Sequence, residues 1–77
     1  MMKKLYFWKT RIGTFYIAKI NDHFHPVFDN EALGAYATPQ MAAEDLAGGH
    51  TFFPSCGVDP STLGIPDQIL EWNRMPD

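Results

Sequence analysis

Cysteine is almost missing from this chain: Cys56 stands alone, so no internal disulfide can form and the fold has no covalent staple. A lone thiol suits a reducing compartment, and the expected location is cytoplasmic. Long apolar runs are missing too. Lys3 and Lys4 lead into Leu5-Tyr6-Phe7-Trp8 in the manner of a secretory signal, but the run stops at Lys9 and Arg11 follows. A secretory core needs about 7–15 apolar residues. No stretch nears the roughly 18 residues required to span a bilayer, so no membrane partner is expected. Low-complexity tracts, repeats and linkers are absent as well, which leaves one domain and excludes a disordered tail as the working part.

What is present suits a small folded domain. The 77 residues are 45% hydrophobic, 14% aromatic and 19% charged. At about 0.05–0.15 kcal/mol per residue, a stability of roughly 4–12 kcal/mol is expected. A chain this short buries only about 60% of its unfolded surface. Two Trp, six Phe and three Tyr are more rings than so small a core closes over. Some ring surface is therefore expected outside, where it marks an interaction face.

Charge is unevenly placed. Lys3, Lys4, Lys9, Arg11 and Lys19 give +5 within the first twenty residues, with no acid among them. The remainder carries nine acids against the single Arg74, a balance of −8 within a net charge of −3. Either a basic hairpin lies beside an acidic helix, or a basic edge is offered to an acidic partner.

Strand signals fill the first half. Leu5 to Thr10 is aromatic-rich and ends in Thr, Arg11-Ile12-Gly13 turns, and Thr14 to Ile20 is the strongest strand. Asn21-Asp22-His23 makes a hairpin connection to Phe24–Asp29. Pro26 there has no N–H, so it should face an open edge or sit at a bulge. A short strand at Ala32–Tyr36 completes a three- to four-stranded antiparallel meander. Thr38-Pro39 then opens a helix over about 39–47, with Thr38 as cap, Pro39 at the first position and Gly48-Gly49 ending it. Ala42, Ala43 and Leu46 share one flat face for packing on the sheet. Phe52-Phe53-Pro54 suits a last short strand or an extended flap over the core, Asp59 a cap, and Ile65, Ile69 and Trp72 line one side of a short C-terminal helix over about 67–73. The fold class is α+β.

Catalytic and metal chemistry find little support. His23 and His25 point to one side of a strand, but with His50 or Cys56 they reach only a scattered three ligands, where structural zinc sites pair four closely. Pro54-Ser55-Cys56-Gly57 matches no nucleophile signature. Glu44 and Asp45 are adjacent on the helix and diverge. Gly48-Gly49 lacks the Lys-Ser/Thr of a phosphate loop. No enzyme activity, metal or cofactor is expected.

Two resemblances accompany these residues. The runs Gly13-Thr-Phe-Tyr-Ile-Ala, His25-Pro-Val-Phe-Asp, Leu33 through His50, and Leu63-Gly-Ile-Pro resemble a family of small uncharacterised proteobacterial proteins across nearly the whole chain. That likeness implies no activity. A meander ending Leu33-Gly34-x-Tyr36-x-Thr38 before a helix with Ala42-Ala43 is similar to the ethylene-response-factor type DNA-binding domain of plants. In that family a three-stranded sheet reads the major groove and the helix backs it; Trp8, Lys9, Arg11 and Lys19 are the only residues of the meander that could stand in for such a role. The resemblance implies the fold and leaves the activity open.

The sequence thus points to a non-enzymatic binding or regulatory module that takes a protein partner, or a second copy of itself, through an aromatic-rich sheet face or edge. Tyr6, Trp8, Lys9, Arg11 and Tyr16 are the candidate contacts. Leu5 to Thr10 is expected as an unguarded edge open to strand addition. The alternative is weak nucleic-acid binding on the basic hairpin, by base stacking and a few phosphate contacts.

Overall fold

The computed structural model describes residues 2–76. Its first half is a run of hairpins, each closed by a turn whose residues tolerate the geometry. Strands β1 (Lys3–Thr10) and β2 (Gly13–Ile20) meet across Arg11-Ile12. Thr10 Oγ1 donates to Gly13 O at 2.7 Å and accepts from Ile12 N at 3.2 Å. Gly13 sits at φ +138°, and a Cβ there would lie 3.0 Å from the Phe28 ring, so only glycine fits. Asn21, at φ 56°, turns the chain into β3 (His23–Phe28). Asp29 and Asn30, at φ 54° and 63°, form a mirror-image turn whose twist matches the flanking strands, and β4 (Glu31–Ala32) follows.

Pro26 explains why β4 is so short. Its carbonyl accepts from Leu33 N at 2.7 Å, so the backbone of Pro26 faces β4, where it has no N–H to return. The ladder lapses there and resumes as a single bridge between Phe24 and Tyr36, whose two bonds are both 2.8 Å. The expected strand at 32–36 is thereby reduced to its two ends.

Helix α1 (Pro39–Gly48) forms where its local signals place it. Thr38 Oγ1 accepts from Met41 N at 3.2 Å, and Pro39 occupies the first turn. Gly49, at φ 74°, ends the helix as His50 N donates to Asp45 O and Gly49 N to Leu46 O, the paired bonds of a Schellman motif. Ala42, Ala43 and Leu46 are fully buried and let α1 lie close on the sheet. With Phe15, Ile17, Leu33, Ile65 and Trp72 they form the core. The Phe15 and Phe28 rings stack beside it at 4.5 Å.

The C-terminal helix expected over 67–73 is not there. Ile65 and Trp72 are buried as the stripe requires, but Ile69–Glu71 is one 3₁₀ turn and Asn73–Arg74 is a strand, β5. A helix of that length leaves most of its amides unbonded, and Gln68 supplies no side-chain cap. Non-local partners take the groups instead: Gln40 Oε1 accepts from Ile69 N at 2.9 Å, and the Trp72 indole donates to Pro66 O at 2.9 Å. Asn73 and Arg74 pair with Phe7 and Tyr6.

The result, among the described residues, is a five-stranded antiparallel sheet in the order β4-β3-β2-β1-β5 with one α-helix on one face, a small α+β fold. The β1 edge expected to be unguarded is occupied from Leu5 to Phe7, where Met75 N also donates to Leu5 O at 2.9 Å. No described helix is long and apolar enough to cross a membrane.

Candidate binding surface

Strand alternation divides the aromatic hairpin between two faces. Trp8, Phe15 and Phe28 form one cross-strand row and Tyr6, Ile17 and Pro26 the next; these rows face α1. Phe7, Tyr16 and Val27 make a row on the reverse face, followed by Lys4, Ala18 and His25. Ala18 and Val27 are buried there, while Phe7, Tyr16, Lys4 and His25 are half-buried.

A β-bulge sets this arrangement. The register shifts between Lys4 and Tyr6, so Leu5 is the extra residue and Lys4 lies on the face opposite Tyr6. Lys4 thereby reaches Tyr16, its Nζ 4.2 Å from the ring centroid. Lys19 Nζ lies 5.8 Å from the Phe24 ring and the Arg74 guanidinium 6.0 Å from Tyr6. Lys3 and Lys19 are direct register partners, a like-charge pairing that costs stability.

Of these cations Lys3, Lys4 and Arg74 line a cleft of about 900 Å³ at the N-terminal end of β1. Its lining includes Lys3, Lys4, Arg74, Tyr6 and Phe24, and among the described residues no carboxylate. A groove of about 580 Å³ adjoins it, running from Lys4 and Tyr16 past Thr14 and Gly13 to Asp29, Asn30 and Cys56. Lys4 lines both. Acids collect elsewhere: Glu44, Asp67 and Glu71 line a hollow of about 360 Å³ beside α1. Burial, followed by the neighbouring Asp45 carboxylate, pushes the Tyr36 phenol up to about 12.

The five candidate contacts do not form one patch. Tyr6 and Trp8 are half-buried against the core, Lys9 and Tyr16 lie on the reverse face, and Arg11 is exposed in the first turn. Sequence reasoning passed over Phe7, which the strand phase puts beside Tyr16, and its candidate contacts omitted the cleft cations Lys3, Lys4 and Arg74. The run of positive charge pointed to the two lysines as part of a basic edge. Nothing local pointed to Arg74, which arrives through β5. The surplus of ring surface is evident in Phe52, 76% exposed, and Phe53, 46% exposed.

His23 and His25 share the reverse face, and the described residues contain no group of three His, Cys, Asp or Glu side chains able to hold a metal ion. Cys56 is exposed in the groove beside Asp29 and Asn30, whereas the His50 ring packs on Gly48, where a Cβ would meet it at 2.7 Å. Thiol and imidazole therefore occupy different surroundings. Compared with protein-family models, curated proteins and solved structures, the chain matches none.

Proposed function

We propose that this domain is a non-enzymatic binding module that docks an anionic partner on the basic end of its sheet and the reverse face beyond it. A bacterial cytoplasm is the proposed setting, one that keeps the exposed Cys56 reduced. The observation that carries the reading is the separation of charge: Lys3, Lys4 and Arg74 line a cleft with no carboxylate among the described residues, while Glu44, Asp67 and Glu71 line a hollow beside α1. A cleft of one sign focuses its field and attracts the opposite charge even on a protein of net charge −3. Pairing through the β1 edge is less favoured, because β5 occupies Leu5 to Phe7. Stacking two copies through the reverse face would bring Lys4 and Lys9 of one against those of the other.

The test is retention on an immobilised polyanion at pH 7 and about 20 mM salt, where the Debye length exceeds 10 Å. The native chain is retained despite its negative net charge and elutes as salt rises. Lys3→Glu/Lys4→Glu passes through unretained. Equal retention of that variant, or passage of the native chain, contradicts the reading.

A further inference from the structure

We propose that the ligand is single-stranded nucleic acid, its phosphates held at Lys3, Lys4 and Arg74 and its bases stacked on Phe7 and Tyr16. This rests on the anionic-partner reading and adds the ligand class. Three features of the molecule converge on it. The first is continuity. Lys4 lines both the cleft and the groove, so one track passes around the start of β1 onto the reverse face. β1 has eight residues, a length of about 26 Å at strand rise. That matches roughly four to eight nucleotides of single strand and exceeds any mononucleotide.

The second is the ring pair. Phe7 and Tyr16 are register partners on adjacent strands, both half-buried and both on the face away from α1. Neighbouring rings of this kind form a platform for planar bases, which an acidic peptide does not possess. Stacking needs unpaired bases, which separates a single strand from a duplex. Lys4 rests over Tyr16 in the free protein. A half-exposed cation–π contact is weaker than a base stack combined with a phosphate contact, so a strand displaces the ammonium from the ring to its own backbone.

The third is strain in the charge pattern. Lys3 and Lys19 sit directly opposite one another, and Arg74 closes the same cleft from β5. Such a grouping opposes folding of the free chain and is relieved by a polyanion.

The experiment is fluorescence anisotropy of a labelled mixed-sequence DNA octamer with the full chain, from 20 to 200 mM salt. A polyphosphate, a poly-glutamate octamer and a duplex of the same sequence serve as competitors. With about three phosphates neutralised, log K falls against log salt with slope near −2, roughly 20-fold weaker binding at 200 than at 50 mM. Phe7→Leu/Tyr16→Leu weakens binding roughly 10-fold or more with that slope unchanged. Lys3→Gln/Arg74→Gln, two exposed substitutions that spare the packing, lowers the slope by about 1.4. Competition by polyphosphate, poly-glutamate or duplex as strong as by the unlabelled octamer overturns the ligand class while the anionic-docking reading stands. Native-like binding by the ring variant, folded by its amide spectrum, overturns the ligand class in the same way. Failure of every polyanion to bind at 20 mM salt overturns both.

Discussion

Gln40 should control the closing of the β1 edge from a distance. It sits in the first turn of α1, where its carboxamide donates to Asp67 O at 3.0 Å and accepts from Ile69 N at 2.9 Å. Those two bonds pin the segment that continues through the buried Trp72 into β5 and the Met75–Leu5 bond. Gln40→Met keeps the length and apolar stem of the side chain and removes both bonds. A neutral hydrogen bond contributes about 0.5–1.5 kcal/mol net, and Asp67 O regains water in the exposed setting, so the segment loses about 1–2 kcal/mol. That is a factor of about 5–30 in its opening equilibrium. Native-state amide exchange reads this directly: Met75 N–H, bonded to Leu5 O, exchanges faster by that factor, and β2 amides change less. Unchanged exchange at Met75 refutes the reasoning. So does an equal acceleration throughout β2, which would mean that the segment opens only with the whole domain.

Other predictions concern the helix ends and the one perturbed phenol. Gly49→Ala places a side chain at φ 74° with its Cβ 2.6 Å from Asp59 Oδ1. The left-handed conformation costs about 1–2 kcal/mol, and displacing Asp59 from Ser61 N, which it caps at 2.9 Å, adds about 1 kcal/mol; urea unfolding measures the sum. Thr38→Ala removes the acceptor of Met41 N and lowers stability by about 1 kcal/mol in the same assay. Tyr36 holds its phenol proton more tightly when folded, its pKa raised from 10.0 to about 12. Its contribution is complete below pH 10 and is lost as pH rises through about 12. Solvent screening at this half-exposed site limits the contribution to about 1 kcal/mol or less. In Tyr36→Phe that part of the fall in urea midpoint between pH 9 and 12 disappears.

The legible parts of this fold were those set by neighbours in sequence. Thr38-Pro39 and Gly48-Gly49 bounded α1 because caps and left-handed glycines act within a turn of the helix. Asn21 and Asn30 turned the meander because their side chains tolerate positive φ, whereas Asp29, expected as a strand end, joins Asn30 in the turn. Illegible were choices made by distant partners. Residues 67–73 carry a helical stripe, yet Gln40 and the edge of β1 compete for the same backbone groups and prevail. The phase of β1 was hidden for a different reason. Tyr6, Phe7 and Trp8 are all apolar aromatics, so no alternation shows which one faces the core, and the bulge at Leu5 reverses the phase for Lys4. The site expectation therefore grouped residues of opposite faces and omitted Phe7. Arg74 lies 68 residues from Tyr6 in sequence and meets it only once β5 docks.

The basic end of the sheet is the centre of this account, and residue-resolved amide shifts on titrating the ¹⁵N-labelled chain with a short polyanion at about 20 mM salt test it most directly. Shifts concentrated at Lys3, Lys4, Phe7, Tyr16 and Arg74, with α1 beyond its first turn unmoved, are the predicted result. Shifts centred on α1 and the Glu44–Asp67–Glu71 hollow, or none anywhere, would contradict it.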